Sequence, residues 1–363
     1  VVADPYMTPT MAAFADIALP LKMSIERDSM RVWWTPLRCM KAITSYGECK
    51  SDEEVIVWLG NRLNPELFNK RWPDIDHFLQ DYLDTGFNFI NEDGSGLKTA
   101  GRNKAGADTV ADAHTEFYRK HDKGKKSFLD LVHQGGYEYD EFNATYEKYA
   151  KGMLRADGSI GFATASGRIE LISPTYKVWG IDPLPKHYES KAQIALLTDS
   201  EAAKEYPFTI INGNRSYEFF HSENRQQATM REFHPVPYVQ VSPQTAEEYD
   251  LTNGEWIWIE NKVGRCKQCV KINPALQPQY IVAEHGWWFP EQEANAPHLF
   301  GSFDCNINNL THSFETGEGG IGAPFKSITG RIYKVTEENS RVLPGEQVTV
   351  HGGFREIPPA GQC

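Results

Sequence analysis

Beyond residue 207 the chain consists of short apolar runs that are separated by turn residues. The runs are rich in β-branched and aromatic residues, which is typical of strands. They are PFTIING (207–213), YVQVSP (238–243), EWIWIENKVGRCKQCVKI (255–272) and YIVAEHGWW (280–288). In the third run side chains alternate on both sides of the sequence NKVG, which predicts a hairpin that turns there. The pattern predicts an all-β region that forms a closed barrel or a sandwich.

The first twenty residues predict a strand, a turn and a helix. The strand ends at Asp4, Thr8 is a suitable N-cap, Pro9 suits the first helical position, and Pro20 stops the apolar run. In open parallel sheets ligands bind beyond the carboxyl ends of the strands. Asp4, Tyr6 and Thr8 are therefore expected where a nucleotide-like ligand would bind.

The intervening sequence is mostly helical in its periodicity, and Ser51 is the predicted cap of its first long helix. Helices are predicted over 51–63, 74–83 and 139–154, a polar insertion over 91–126, and a hairpin strand leading into a proline-marked linker over 161–189. The predicted organisation is the end of an α/β domain at 1–22, a mostly α/β middle domain at 23–190, a linker at 191–206, a β-barrel at 207–338 and an extended tail at 339–363. The predicted fold class is thus a partial open α/β sheet and a helical region followed by an all-β domain.

Composition and charge narrow the function. The formal net charge of −12 opposes a phosphate backbone, and no stripe of Lys or Arg interrupts it, so nucleic acid is not expected as a partner. No run of about 18 apolar residues is available to span a bilayer, so direct membrane insertion is not expected either. The chain has no initiator Met and begins within a predicted strand, which favours a fragment or a processed chain.

Two patterns that could indicate a metal site are weak. Cys266 and Cys269 have the C-x2-C spacing of zinc and iron–sulfur sites, but side chains three apart on a strand point to opposite faces. His221, His234 and His285 have no metalloenzyme spacing, and a histidine beside an apolar strand is more often a satisfied core residue. No metal ligand is predicted among these residues.

The segment INGNRSYEFFHSENRQQATMRE (211–232) is a stronger candidate for ligand binding. In it a strand is followed by Asn212, Gly213 and Asn214, and three arginines come within a few turns. Gly and Asn tolerate unusual backbone angles and present N–H groups to an anion, and Arg adds forked donors. The alternative is a solvated turn that carries surface arginines.

The segment HGWWFP (285–290) concentrates aromatic surface directly after a predicted strand. One interpretation is that the aromatic rings form the wall of a flat heteroaromatic ligand, while Gly286 lets the main chain touch it. The other interpretation is that Trp287 and Trp288 belong to the core of the barrel. The first is favoured, because successive strand positions point to opposite faces and both faces would need to be covered.

Seven segments together resemble the dimethyl sulfoxide reductase family, whose members carry molybdenum or tungsten on two molybdopterin guanine dinucleotides. In order they are VVADPYMTPTMAAFADIALP, GECKSDEEVIVWLGNRL, GFATASGRIELI, GIDPLPKHYE, YVQVSPQTAEEYDLTNGEWIWIENKVGRC, HGWWFP and NINNLT. The resemblance covers residues 1 to about 336 and is strongest over 207–336, which is similar to the family's C-terminal pterin-binding barrel of double-psi type. HGWWFP and NRQ are most similar to the branch that contains acetylene hydratase, hydroxyl-transferring enzymes and polysulfide-type reductases.

The resemblance implies cofactor-binding residues in the barrel, matched position by position. Asn212, Gly213 and Arg215 match the loop that lies along the pterin and its pyrophosphate, although NGNR stands where Thr-Gly-Arg is commoner. Arg225 and Gln226 match positions that turn toward the pterin and the metal cavity. Arg225 is also the candidate catalytic residue, as a contact to a charged substrate.

Further matches lie later in the barrel and at the start of the chain. His285, Gly286 and Trp287 match the stretch in which the backbone passes closest to a pterin. Asn308 and Lys326 match late contacts to the pterin and phosphate. Asp4 and Thr8 match the strand end that meets a guanosine in the family's other nucleotide-binding half.

The implied protein is the C-terminal half of a catalytic subunit, which partners the N-terminal part of the same subunit. A 4Fe-4S cluster is expected in that N-terminal part, and an iron–sulfur electron-transfer subunit is a further implied partner. The implied reaction is a two-electron transfer of oxygen, hydroxyl or sulfur to or from a small-molecule substrate. Non-redox hydration of the acetylene hydratase type is the alternative within the family. The family occurs on both sides of the bacterial cytoplasmic membrane, so neither compartment is favoured.

A function from another class remains open. An aromatic-rich β-barrel could bind a sugar or a peptide without catalysis, since β-barrels serve many functions. That alternative explains the tryptophans and the acidic charge, but it does not explain the opening strand, turn and helix or the ordered set of segments.

Overall fold

The chain divides into two compact units. A computed structural model describes residues 1–31, 38–85, 146–155, 157–184, 186–187, 189–295, 298–311, 316–317, 320, 322 and 325–340. One unit comprises Val1–Val2, Tyr6–Ile17 and Thr175–Cys363, and the other comprises Ala3–Pro5 and Ala18–Pro174.

The described residues form ten strands and ten α-helices. The strands are β1 Val2–Asp4, β2 Ala18–Pro20, β3 Ser29–Arg31, β4 Arg38–Met40, β5 Phe208–Asn214, β6 Tyr238–Val241, β7 Trp256–Glu260, β8 Arg265–Ile272, β9 Tyr280–Glu284 and β10 Ile328–Lys334. The helices are α1 Pro9–Phe14, α2 Asp52–Leu63, α3 Pro65–Arg71, α4 Ile75–Thr85, α5 Pro174–Val178, α6 Lys191–Thr198, α7 Ser200–Glu205, α8 Ala228–Phe233, α9 Pro243–Glu248 and α10 Ser302–Cys305. Short 3-10 helices lie at Ser24–Glu26, Lys148–Lys151, Leu299–Gly301 and Ile307–Leu310.

Six strands of the larger unit close into a barrel in the order β10-β5-β9-β6-β8-β7, and β10 also pairs with β7. The pairs β5–β9 and β6–β8 are parallel, and the remaining neighbours are antiparallel. The predicted closed barrel and the predicted hairpin of β7 and β8 are confirmed. Closure leaves no unpaired sheet edge.

The alternation of side chains along β7 and β8 decides what fills the barrel. Ile257, Ile259 and Cys266 belong to the apolar interior, whereas Trp256 and Cys269 belong to an aromatic cluster outside it. The prediction that the two cysteines face opposite ways is confirmed. Burial also raises the pKa of Cys266, so its thiol stays protonated at neutral pH.

The smaller unit is held by α2, α3 and α4 around Trp72. The indole is 4% exposed, lies edge-on to Phe68 and Phe78 at 5.4 and 5.3 Å between ring centroids, and donates to Asp81 Oδ2 at 2.7 Å. Ser51 caps α2 as predicted and forms a reciprocal capping box with a glutamate three residues later. The same unit contains the antiparallel pair of β3 and β4.

At the start of the chain the predicted strand and helix are confirmed. Thr8 is the N-cap of α1 and accepts a hydrogen bond from the Met11 amide at 3.2 Å, and Pro9 is the first helical residue. The helix ends at Phe14 rather than near Pro20, because residues 18–20 form β2 and pair in a two-stranded sheet with β1.

Three predictions for the middle of the chain differ from the structure. The hairpin strand over 161–189 is wrong, since the described residues there form bends and the single turn of α5. The linker at 191–206 consists of two helices, α6 and α7, which Ser190 and Asp199 cap. The described end of the helix predicted at 139–154 is only a 3-10 turn. The polar insertion at 91–126 and the tail after residue 340 lie outside the described residues.

Within the described parts of the chain, no helix has both the length and the apolar character needed to cross a membrane.

Candidate functional site

The parallel pairing of β5 and β9 places the ends of both strands at the same edge of the barrel. Their register matches Asn212 with Ala283 and Asn214 with Glu284, so β5 has one extra residue, Gly213, at a bulge. Gly213 has φ +104°, and no atom lies within 4 Å of the place where a Cβ would be. The two sequence segments that carry most of the predicted binding residues therefore leave the barrel side by side.

Two histidines join these segments. His221 Nδ1 lies 2.9 Å from His285 Nε2, which links the loop after β5 to the residue after β9. His221 Nε2 lies 3.3 Å from a terminal nitrogen of Arg215, and His285 Nδ1 lies 3.3 Å from the carbonyl oxygen of Asn214. Burial, the nearby His221 and the two arginines Arg215 and Arg225 lower the pKa of His285, while the Asn214 carbonyl opposes the shift.

Arg225 is a buried cation at the same edge. Its side chain is 3% exposed, and its guanidinium carbon lies 4.0 Å from the ring centroid of Phe219 and 4.6 Å from that of Trp287. One terminal nitrogen donates to the Glu223 carbonyl at 3.0 Å, and Nε is buried without a hydrogen-bond partner. Burial lowers the pKa of Arg225 to about 10, and the negative charge of Glu284 opposes that shift. The guanidinium is therefore still charged at neutral pH.

Glu284 is the buried carboxylate of the site. It is 4% exposed, and its Oε2 accepts hydrogen bonds from Trp287 Nε1 at 2.7 Å, His234 Nε2 at 2.9 Å and the Tyr238 amide at 3.2 Å. The side-chain amide of Gln268 bonds both the amide and the carbonyl of Glu284, at 3.1 and 2.8 Å. The carboxylate is thus fixed by three donors and the backbone of the same residue by Gln268, and a buried charge requires such partners.

Gly286 permits a close approach between the two loops. Its φ is +68°, and a Cβ at this position would lie 2.9 Å from the His221 carbonyl oxygen and 3.1 Å from the Ser222 nitrogen. The neighbouring Trp288 donates to the Ser222 carbonyl at 2.9 Å. A glycine is needed here for both space and backbone conformation.

The tryptophans are part of the protein's own packing. Trp287 and Trp288 are 1% and 3% exposed, and both follow β9 instead of lying in it. The interpretation of these rings as the wall of a flat ligand rested on successive strand positions, and that premise is wrong. Trp287 does not belong to the core of the barrel either, because it packs with Phe219 and Phe289 in the aromatic cluster outside the barrel interior. A contact between these rings and a ligand stays a prediction.

Other predicted residues lie close to this edge. Asn212 is buried and donates to Asn308 Oδ1 at 2.6 Å, while its own Oδ1 has no partner. Gln226 is half-buried, and its Oε1 also lacks a partner. Lys326 is exposed and follows Phe325, whose carbonyl accepts a hydrogen bond from the Asn212 amide at 2.8 Å.

Asp4 and Thr8 lie at the start of the chain, at the end of β1 and at the N-terminus of α1. Asp4 is partly buried at the end of β1, and its carbonyl accepts a hydrogen bond from the Leu21 amide at 3.2 Å. Thr8 uses its hydroxyl to cap α1. Their predicted contact to a guanosine stays a prediction.

A narrow cavity marks the place where the barrel residues converge. It is lined by Asn214, Arg215, Ser216, Phe219, His221, Arg225, Glu284, His285 and Trp287. Its volume of about 10 Å³ is close to the space that one water needs, so an extended ligand would lie across its mouth and not inside it. A larger cavity of about 610 Å³, lined by α6, α7 and residues 261–263 among others, contains none of the predicted residues.

Sequence reasoning missed the polar groups that organise this edge. Glu284 and Gln268 lie within strands whose other residues are apolar or alternating, and nothing in the sequence indicates their mutual contact. His221 and His234 were considered as metal ligands or as satisfied core residues, and their partners were not predicted. The structure pairs His221 with His285 and places His234 on Glu284. Across the described residues, no three or more His, Cys, Asp or Glu side chains are arranged to hold a metal ion.

The barrel and the chain as a whole both match known proteins. Residues 208–329 match the family model of the molydopterin dinucleotide binding domain. The solved structure of acetylene hydratase from Pelobacter acetylenicus is similar to this chain, with a TM-score of 0.65 and 25% identity over 92% of this chain and 40% of that one.

Two curated relatives are similar in sequence. Dopamine dehydroxylase from Eggerthella lenta is 27% identical over 90% of this chain and 34% of its own length. Acetylene hydratase from Syntrophotalea acetylenica is 36% identical over 44% of this chain and 22% of its own length. The chain therefore spans about a third or less of the length of these relatives. The predicted resemblance and the predicted barrel fold are confirmed.

Proposed function

From its membership of the dimethyl sulfoxide reductase family of molybdopterin enzymes, we propose that this chain is the C-terminal portion of a catalytic subunit. That subunit would bind molybdenum or tungsten through two molybdopterin guanine dinucleotides. The observation that carries the proposal is the convergence of the loop after β5 and the segment after β9 at one edge of a matched dinucleotide-binding domain.

The residues present fit such a cofactor. Three buried polar atoms at this edge have no hydrogen-bond partner: Asn212 Oδ1, Arg225 Nε and Gln226 Oε1. Buried polar groups are nearly always paired in native proteins, so three unpaired atoms in β5 and the loop that follows it are consistent with a polar ligand that completes them. The open space beside Gly213 lets the main chain meet that ligand closely.

Each residue has a distinct part in binding. Arg215 is exposed at the cavity mouth and offers forked donors to the pyrophosphate. Arg225 is fixed against aromatic rings and supplies a charge from a site that excludes water, where electrostatic interactions are strong. Asn212 and Asn308 hold one another and present amide groups to the polar edge of the pterin.

When bound, the metal and its dithiolene ligands supply the two-electron chemistry, and the polypeptide supplies binding, orientation and electric field. Arg225 stays cationic at neutral pH and favours negative charge on the cofactor or substrate beside it. The rings of Phe219 and Trp287 pack against the guanidinium of Arg225 and exclude water from it. We propose that the reaction is an oxygen, hydroxyl or sulfur transfer with electrons passed to a 4Fe-4S cluster elsewhere in the subunit, and onward to an iron–sulfur partner subunit.

Non-redox hydration is a second candidate. It is favoured by the match of 92% of this chain to a solved acetylene hydratase. The match to dopamine dehydroxylase over 90% of the chain favours the redox candidate. The two differ in whether turnover consumes electrons, so an assay coupled to a reduced dye separates them.

The proposal is tested on the native full-length subunit. Metal analysis and the fluorescence of pterin released by denaturation should find molybdenum or tungsten and two pterins for each subunit. An Arg225→Leu variant should lose most of its pterin, whereas the exposed Lys204→Gln variant should keep it. A folded native subunit that contains neither metal nor pterin would refute the proposal.

A further inference from the structure

We propose that His221 and His285 are positioning residues that act as a neutral hydrogen-bond relay, and that the relay holds Arg215 in place to bind the anionic part of the ligand. The inference rests on the proposed function and assigns the two imidazoles a role in which they carry no charge. It contrasts with the simpler idea that histidines near an anion bind it as cations.

The groups at the two ends of the chain of contacts determine the direction of every hydrogen bond. The Asn214 carbonyl can only accept, so His285 Nδ1, at 3.3 Å, carries a hydrogen. An arginine can only donate, so His221 Nε2, at 3.3 Å from Arg215, carries none. In the neutral form His221 therefore carries its hydrogen on Nδ1 and donates it to His285 Nε2 at 2.9 Å.

With both rings neutral, all three contacts are satisfied in one direction, from Arg215 through His221 and His285 to Asn214. A proton added to His285 Nε2 would face the hydrogen on His221 Nδ1. A proton added to His221 Nε2 would face the guanidinium of Arg215. Either protonation replaces a hydrogen bond by a contact between two donors, so the observed geometry requires neutral imidazoles.

The surroundings favour the same state. The charged groups that face the pair are Arg215, Arg225 and the Glu284 carboxylate, all of which line the same cavity. That carboxylate accepts hydrogen bonds from other donors, including His234 and Trp287. Burial and the neighbouring cations lower the pKa of His285, so the relay is intact above that pKa and is broken as the pH falls through it.

The relay restricts the conformation of the Arg215 side chain, which has few other contacts. Arg215 is exposed, and besides His221 it contacts the ring of Phe220 at 5.5 Å. Holding a long side chain in one conformation before binding reduces the entropy that is lost on binding. The relay is itself anchored, because the backbone of His221 has a positive φ of 51° and lies against Gly286.

The test measures how long the full-length holoenzyme keeps its cofactor after dilution, by released pterin fluorescence and metal analysis. The pH is lowered from about 8 to the lowest value at which the circular dichroism spectrum of the protein is unchanged. Wild-type protein should lose pterin about tenfold faster at the acid end, which is the effect of losing one hydrogen bond to a charged group. His285→Gln keeps an acceptor for His221 and cannot be protonated, so its profile should be much flatter.

Two further variants control for folding and for general acid effects. His221→Ala breaks the relay at every pH and should lose pterin about tenfold faster even at pH 8, with an unchanged circular dichroism spectrum. His187 is exposed and pairs with Glu189 at 2.8 Å, so His187→Gln should keep the wild-type profile.

Several outcomes overturn the inference. If wild-type protein retains pterin better as the pH falls, the histidines act as cations, and the relay is wrong while the proposed function stands. The same holds if His285→Gln keeps the full pH dependence, or if His221→Ala retains pterin like the wild type. Wild-type subunit without pterin or metal would remove the proposed function, and this inference with it.

Discussion

The inside of the barrel and its flank are both buried, but they are built from different chemistry. The interior is aliphatic, and Ile210, Ile257 and Ile281 are each 0% exposed. The flank beside β9 holds Trp287 and Phe219 together with buried charged groups such as Arg225 and Glu284.

The difference shows that buried side chains stabilise this domain in two ways, through apolar area in the interior and through polar partners in the flank. Interior residues contribute to the free energy of unfolding in proportion to the apolar area that they remove from water. The removal of one methylene group there therefore lowers that free energy only moderately. A buried polar group contributes through its partners, and the loss of one partner leaves the other without compensation. We therefore expect the flank to be more sensitive to single substitutions than the interior, and we expect only the flank to affect the cofactor.

The largest effect is expected for Glu284→Leu. The substitution leaves the donors of Trp287, His234 and the Tyr238 amide without their acceptor, and it removes the negative charge near Arg225. The free energy of unfolding should fall by about 3–5 kcal/mol, measured by urea unfolding of the full-length protein. Pterin content should fall with it.

Glu284→Gln is the matched control. It keeps an oxygen acceptor and loses the charge, so its loss of stability should be clearly smaller. Equal stability of the Leu and Gln variants would show that the three hydrogen bonds at this carboxylate contribute little.

The next largest effect is expected for Gly286→Ala. A methyl group would meet the His221 carbonyl at 2.9 Å, and the backbone would keep a positive φ of 68°. The variant should lose about 1–3 kcal/mol of unfolding free energy and should separate the loops that His221 and His285 join. Thermal unfolding and pterin content measure the two effects.

The variant Gly180→Ala is the control that separates the two effects expected at Gly286, which are the strain of a positive φ and the steric clash of the added Cβ. Gly180 has a similar φ of +72°, but no atom lies within 4 Å of a Cβ there. The Gly180→Ala variant should lose less unfolding free energy than Gly286→Ala, and its pterin content should be unchanged. If both alanine variants behave alike, the close approach at Gly286 is not what the site requires.

The smallest effect is expected in the interior. Ile281→Val removes one methylene from a fully buried side chain and should cost about 0.5–1.5 kcal/mol in unfolding free energy, with pterin content unchanged. Ile194, which is 49% exposed, provides the control, since Ile194→Val should change stability by less than about 0.5 kcal/mol. Loss of pterin from the Ile281 variant would contradict the separation between interior and flank.

The interior was largely predictable from the sequence. Alternation of side chains depends only on the strand period, so β7 and β8 and the opposite faces of Cys266 and Cys269 followed from the pattern. The caps at Thr8 and Ser51 also followed, because each depends on a few adjacent residues.

The flank was not predictable in the same way, because its contacts join distant parts of the chain. His221 and His285 are 64 residues apart, and His234 and Glu284 are 50 apart. Short helices such as α6 and α7 were also missed, since eight and six residues are too few for a clear periodicity. The family resemblance indicated where the loops lie, but it did not indicate the carboxylate beneath them.

The parallel pairing of β5 with β9 has a consequence for how such a protein can change. Both connecting segments emerge from one rim, so insertions and replacements in them need not disturb the hydrophobic filling of the cylinder. A lineage can thus alter what these segments recognise while inheriting the same support, which is how one scaffold comes to serve several reactions.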